Sequence, residues 1–128
     1  YQAKNTYKPF QVYGYSKLAN ILFTKKLSDI LKEDNITVNC LHPGVVGTSF
    51  GQNNGNLQKI LFYIAKPFMR SSEKGAETSI YLCSSSDVSD ISGEYFYNCK
   101  LAKTTKWAQS QDDADRLWDL SKDLTGLV

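Results

Sequence analysis

The sequence predicts an α/β fold built on a parallel sheet, of which this chain carries a part. Three observations predict it. A helical stripe of apolar residues from about Val12 to Lys32 runs into a short β-branched segment, Ile36 to Leu41, which His42-Pro43-Gly44 ends sharply. Beyond it the pattern continues helix, helix, strand, helix, the alternation that goes with parallel strands. The two strands are too few for such a sheet, which is assembled from several βαβ units and covered on both faces.

Residues 1–10 are polar and end in Lys8-Pro9-Phe10, a loop signal. The first helix follows, with Ala19, Leu22, Phe23 and Ile30 at helical spacing and Leu18, Leu27 and Leu31 widening the stripe; Glu33-Asp34-Asn35 stops it. The run 36–41 reads as a buried strand, and 47–56 as a loop rich in Gly, Asn, Ser and Gln. Leu57, Ile60, Leu61, Ile64 and Phe68 give a second helical stripe, broken near Pro67. Ser72, with Glu73 and Gly75 nearby, opens a third helix through about Ser84, with Ala76, Ile80, Tyr81 and Cys83 apolar. Ser84-Ser85-Ser86-Asp87 is a loop, and Gly93 to Tyr97 is a strand. Asp112 to Leu124 is a last amphipathic helix, with Ala114, Leu117, Trp118 and Leu124 inward and Gly126 after its end.

Composition excludes several classes. Hydrophobic residues at 41% and charged residues at 22% are ordinary for a globular protein, and a net charge of +2 leaves no nucleic-acid footprint. The charge is uneven: residues 1–72 hold 9 basic and 3 acidic side chains, and residues 73–128 hold 6 and 10. Two solvated faces explain this; a basic half turned to a cofactor phosphate or lipid head group is the sharper alternative. The cysteines number 3, with no C-x-x-C, so neither a disulfide framework nor a zinc knuckle is expected; Cys40 and Cys83 read as reduced core residues. No apolar run nears the roughly 20 residues of a bilayer span. The chain opens at Tyr1 with neither an initiator Met nor a signal peptide. The expectation is that 1–128 is the C-terminal, catalytic and substrate-binding half of one domain.

Tyr13 and Lys17 lie four residues apart on the first helix, hence on one face. A tyrosine with a pKa of about 10 is a poor acid–base at neutral pH, and bringing it to about 7 requires a preference of about 4 kcal/mol for the phenolate. An ammonium about 5 Å away, at an effective dielectric of about 20, contributes about 3 kcal/mol of that. Such a tyrosine could exchange a proton with an alcohol or carbonyl as hydride moves. Alone the pattern is weak, since chance predicts roughly 0.8 Tyr-x-x-x-Lys matches in a chain of this composition.

Its surroundings strengthen it. Tyr13-x-x-Ser16-Lys17-Leu18-Ala19-Asn20, then a strand, then Leu41-His42-Pro43-Gly44-Val45-Val46-Gly47-Thr48 resemble the short-chain dehydrogenase/reductase family. That stretch and the tail Arg116-Leu117-Trp118 through Leu124-Thr125-Gly126 are most similar to its retinol dehydrogenase-like branch. The resemblance implies the C-terminal part of a Rossmann-like, doubly wound parallel sheet, incomplete in this chain. It implies an oxidoreductase transferring hydride between NAD(P) and an apolar alcohol or carbonyl, retinoid- or steroid-like, with NADP favoured by the branch. Tyr13 would be the catalytic acid–base. Lys17 would depress its pKa and bind the nicotinamide ribose. Pro43, Gly44 and Val46 would meet the nicotinamide carboxamide, and Thr48 the carboxamide or pyrophosphate. Gly44 also fits close backbone approach to a ligand.

The family's Gly-rich turn, its cofactor selector and its catalytic Ser and Asn would lie before Tyr1. The resemblance allows a homodimer and peripheral membrane contact, in the cytoplasm or at the endoplasmic-reticulum membrane. Two other readings stay open: a catalytically inactive binding or scaffold protein with the family fold, and a small α/β interaction domain. His42 reads as a turn residue, Tyr15 as packing, and Lys100, Lys103 and Lys106 as a solvated edge. Trp107 and Trp118 read as packing anchors. Leu57 to Met69 reads as a substrate lid, with a membrane-resting helix or plain core as alternatives.

Overall fold

Pro9 opens the first helix rather than closing a loop. A computed structural model describes residues 7–47 and 69–127 of the chain. In it α1 spans Pro9–Ile30, with Pro9 in the first turn, where its missing N–H costs nothing and its fixed φ is already helical. The Leu31 N–H bonds Leu27 O at the other end, and the chain turns through Asn35 at φ 57. Two expected elements, the loop 47–56 and the helix over 57–68, lie outside the described residues save for Gly47, as does the lid save for Met69.

Strand β1 is Cys40–His42, shorter and later than the expected 36–41. The reason is Asn39. Its side chain donates to Ile91 O (2.6 Å) and accepts from the Glu94 N–H (3.1 Å), while the Val38 N–H goes to the Ser92 hydroxyl. These side-chain bonds share the approach with one backbone bond, Gly93 N–H to Val38 O at 2.7 Å, in place of a regular ladder, and Ile36 is left half exposed. The expected strand 93–97 is β2, Tyr95–Tyr97. It pairs parallel to β1, with Cys40 opposite Tyr95, Leu41 opposite Phe96 and His42 opposite Tyr97.

A third strand, β3 (Lys100–Leu101), was not expected; it pairs antiparallel to β2. Asn98 and Cys99 make the two-residue turn between them, at φ 54 and 57, the left-handed pair that a tight hairpin needs. The two expected strands pair in parallel as expected, and β3 adds an antiparallel edge, so the sheet is mixed in the order β1-β2-β3. Lys100, Lys103 and Lys106 are all exposed, the solvated edge expected, with the Lys100 backbone paired into β3.

Helix α2 spans Ser72–Ser84, at the expected bounds, capped by the Ser71 hydroxyl accepting from the Lys74 N–H. A short 3-10 turn, Ser86–Val88, follows it, and another, Lys106–Gln109, precedes α3 (Gln111–Thr125). Ser110 caps α3, and Gly126 ends it at φ 69.

Helices α1 and α3 run antiparallel. Phe23 stacks on Trp118 at 5.4 Å, Lys26 meets Asp115 at 2.7 Å, and Asp29 accepts from Gln111 at 2.9 Å, so one helix descends as the other climbs. The buried apolar residues are Leu22, Val88, Phe96, Ala108 and Ala114, with Phe96 on β2 at the centre. Thr24 and Ser28 are buried on α1, each hydroxyl bonded to a carbonyl of its own helix. Several expected core residues are exposed: Cys83, Ile80, Ile30, Leu124 and Trp107. Trp107 lies on a one-turn 3-10 segment whose buried position is Ala108, and Leu124 is in the last turn of α3. The fold class is α/β, as expected of part of a Rossmann-like sheet.

Candidate active site

Two grooves meet at Tyr95, one along the middle of α1 and one at the carboxyl ends of β1 and β2. One groove is lined by Gly14, Lys17, Leu18 and Ile21 of α1 together with Tyr95 and the stretch 103–105. A second is lined by His42, Gly44, Val45 and Tyr97 together with Ala102. Tyr95 and Lys103 belong to both, so the grooves adjoin. Open sheets of this class take ligands at the carboxyl ends of their strands.

Tyr13 and Lys17 share a face of α1, the Lys17 ammonium 5.2 Å from the centre of the Tyr13 ring. The Ser16 hydroxyl turns back to the Tyr13 carbonyl at 2.7 Å. Lys17 lines the first groove, whereas the half-exposed Tyr13 lines neither. Burial pushes the Tyr95 phenol up, away from neutral-pH acid–base work, although both grooves share it.

Pro43 lies exposed in the turn after β1. Gly44 sits at φ 84, a conformation that side chains rarely adopt, and its N–H donates to His42 Nδ1 at 2.7 Å. His42 is thus the turn residue expected. The close approach at Gly44 is made by protein: a Cβ there would meet the Arg70 side chain at 2.7 Å. Val46 faces α2, where a Cβ on Gly75 would come within 2.7 Å of its Cγ2. Thr48 lies outside the described residues. Among the described residues no three His, Cys, Asp or Glu side chains group as metal ligands, and no helix is long and apolar enough to cross a membrane.

The sequence reading missed Arg70. Its backbone N–H donates to Val45 O and its carbonyl accepts from the Gly47 N–H, an isolated parallel bridge. Its guanidinium donates to the Tyr97 hydroxyl at 2.8 Å and to the Asn98 side chain at 2.5 Å. No local pattern announces this, because every partner is distant in sequence.

A family model described as short chain dehydrogenase matches residues 1–59. Retinol dehydrogenase 14 of Homo sapiens is 41% identical over 98% of this chain and 38% of its own length. Retinol dehydrogenase 12 of Mus musculus is 36% identical over 98% of this chain and 40% of its own. The chain resembles the short-chain dehydrogenases, in their retinol dehydrogenase-like branch. A WW domain-containing oxidoreductase of Pongo abelii is also similar, at 35% over 94% of this chain and 29% of that protein. The chain thus spans about two fifths of the length of the retinol dehydrogenases it matches. The matched segment 1–59 includes both α1 and the loop after β1, the two features on which the short-chain dehydrogenase likeness was read.

Proposed function

We propose that residues 1–128 form the catalytic and substrate-binding part of an NAD(P)-dependent short-chain dehydrogenase. It would interconvert an apolar alcohol and its carbonyl, retinoid- or steroid-like, with NADP favoured. The observation that carries the reading is one helix bearing Tyr13 and Lys17, with the Lys17 groove adjoining that of Gly44 across Tyr95.

The residues fit a nicotinamide dinucleotide in kind. The second groove is open at the strand ends and bordered by the Gly44–Val45 backbone; the Gly44 N–H and Val45 O are bonded within the protein, so the Gly44 carbonyl and Val45 N–H would be the groups to meet a carboxamide. Lys17 would hold the ribose, and Pro43, Gly44, Val46 and Thr48 would supply the loop against the nicotinamide end. The cofactor, when bound, supplies or accepts the hydride. Tyr13 moves the accompanying proton at its hydroxyl: it takes the alcohol proton in oxidation and returns one to the carbonyl oxygen in reduction. Lys17 keeps a positive charge beside that ring.

The test is retinal reduction by the whole protein with NADPH or NADH, with cofactor fluorescence as a separate measure of binding. Tyr13→Phe should remove nearly all turnover and leave dinucleotide binding largely intact; Lys17→Ala should weaken both. Unchanged turnover in Tyr13→Phe would reject the assignment. An intracellular protein, a homodimer and contact with the endoplasmic-reticulum membrane belong to the same proposal.

A further inference from the structure

We propose that Arg70 is a positioning residue: it latches the loop after β1 into one posture, and through that loop sets the affinity for the dinucleotide. The second half rests on the function proposed above; the first half does not.

The latch is a closed ring of contacts around Gly44. The backbone of Arg70 holds Val45 O at 2.8 Å and the Gly47 N–H at 3.0 Å. Those two bonds alone would let the segment Pro43–Val45 pivot. The side chain then crosses over Gly44, where its Cδ and Nε occupy the space a Cβ would need. It ends on the turn after β2, with one nitrogen on the Tyr97 hydroxyl and another on Asn98 Oδ1. The guanidinium carbon also stands 4.9 Å from the centre of the Tyr97 ring. Tyr97 meets the His42 ring edge-on at 5.7 Å, and His42 Nδ1 accepts the Gly44 N–H. Gly44 is gripped at its N–H by His42 and at its Cα by Arg70, while Tyr97 touches both grips.

Two features make this a device for posture. Gly44, as a glycine at φ 84, has many other conformations open to it, so contacts on both of its sides are what hold it in this one. The strap also joins the loops following two parallel strands, the place where a bound dinucleotide must find its carboxamide partners already aimed. Ordering a loop in advance lowers the cost of binding without adding a contact. A planar fork serves two acceptors that a single ammonium cannot span, so lysine is a poor substitute.

The experiment uses the whole protein and the variants Arg70→Ala, Arg70→Lys, Asn98→Ala and Tyr97→Phe. Hydrogen exchange is measured without cofactor over the peptide covering 43–47. Exchange should quicken about tenfold in Arg70→Ala, less in Asn98→Ala and Tyr97→Phe, and Arg70→Lys should recover only part of the loss. The KM for the dinucleotide should rise about tenfold in Arg70→Ala, with kcat within about twofold and the KM for the carbonyl substrate unchanged. If Arg70→Ala does not fold, Arg70→Lys and Asn98→Ala carry both readings, and Tyr97→Phe carries the exchange reading alone. Unchanged exchange in all of them overturns the latch, whatever the enzyme does. Faster exchange with an unchanged dinucleotide KM, or a whole protein that binds no dinucleotide, overturns its use in binding and leaves the latch standing.

Discussion

Cys40 and Cys83 show how one residue type takes opposite characters within a single chain. Cys40 starts β1, where burial pushes its thiol up, against smaller opposing hydrogen bonds. A thiol rather than a thiolate is a poor nucleophile. Cys83 lies exposed near the end of α2, although its apolar neighbours Ile80 and Tyr81 led the sequence reading to place it inside. Iodoacetamide at mildly alkaline pH should therefore modify Cys83 first and Cys40 last, with Cys99 between; mass spectrometry of timed digests reads the order, and early labelling of Cys40 would contradict it. At this scale the Tyr13–Lys17 pairing was legible, because a four-residue spacing on a helix is local geometry. Arg70 was not. Its partners Gly44, Tyr97 and Asn98 reach it only after two loops have met, and no spacing within a helix or strand encodes that.

The pairing of α1 with α3 divides into one apolar and two polar contacts, and they should respond differently to solution conditions. Phe23 stacks on Trp118, and a double-mutant cycle on this pair should return a coupling of about 0.5–1.5 kcal/mol, little changed by salt. Lys26 and Asp115 keep 26% and 44% of their side-chain surface in water, so their bridge should fade with added salt. Lys26 beside it holds the Asp115 carboxyl below its usual range, and Asp115 in turn raises Lys26. The lowered carboxyl stabilises the fold fully above the usual aspartate range and loses that contribution as pH falls through its own lowered value. The raised lysine contributes fully below its usual value and fades only as pH rises beyond it. Urea unfolding of Asp115→Asn against the parent should therefore differ at neutral pH and converge in acid; a difference that persists into strong acid would show the bridge is not its source. Element bounds were legible where local chemistry sets them, as at α2, with a serine cap before it and serines at its end. They were not legible at β1, where Asn39 and Ser92 side chains share the bonding with the backbone, or at β3, whose Asn98-Cys99 turn carries no glycine to mark it.

For the molecule as a whole, the described residues bury little. Phe96 is the largest side chain fully enclosed, while Phe10 stands 92% exposed and Tyr15, Trp107, Ile80 and Leu124 are all more than half exposed. The outer edge of β1 has no strand beside it among the described residues. On the proposal that 1–128 is part of a larger domain, these 128 residues alone should unfold without a sharp transition and associate, since an unpaired strand edge and bare apolar faces invite pairing between copies. Each large side chain left in water forgoes about 1.5–3 kcal/mol, against a net stability of about 5–15 kcal/mol for complete domains. Thermal unfolding with light scattering tests this, and a cooperative transition from a monomer would favour a self-sufficient interaction domain. The α/β class was legible because helical and strand periodicities alternate along the chain; the mixed sheet was not, because its antiparallel edge is only two residues long. The antiparallel packing of α1 on α3 has a consequence in time. Asp29 and Gln111 are 82 residues apart, and chains emerge at about 5–20 residues per second, so α1 waits roughly 4–16 s after its own synthesis before its partner exists. Through that interval Phe23 and Leu22 have nothing of α3 to cover them, and the nascent chain offers them to whatever binding surface the cell provides.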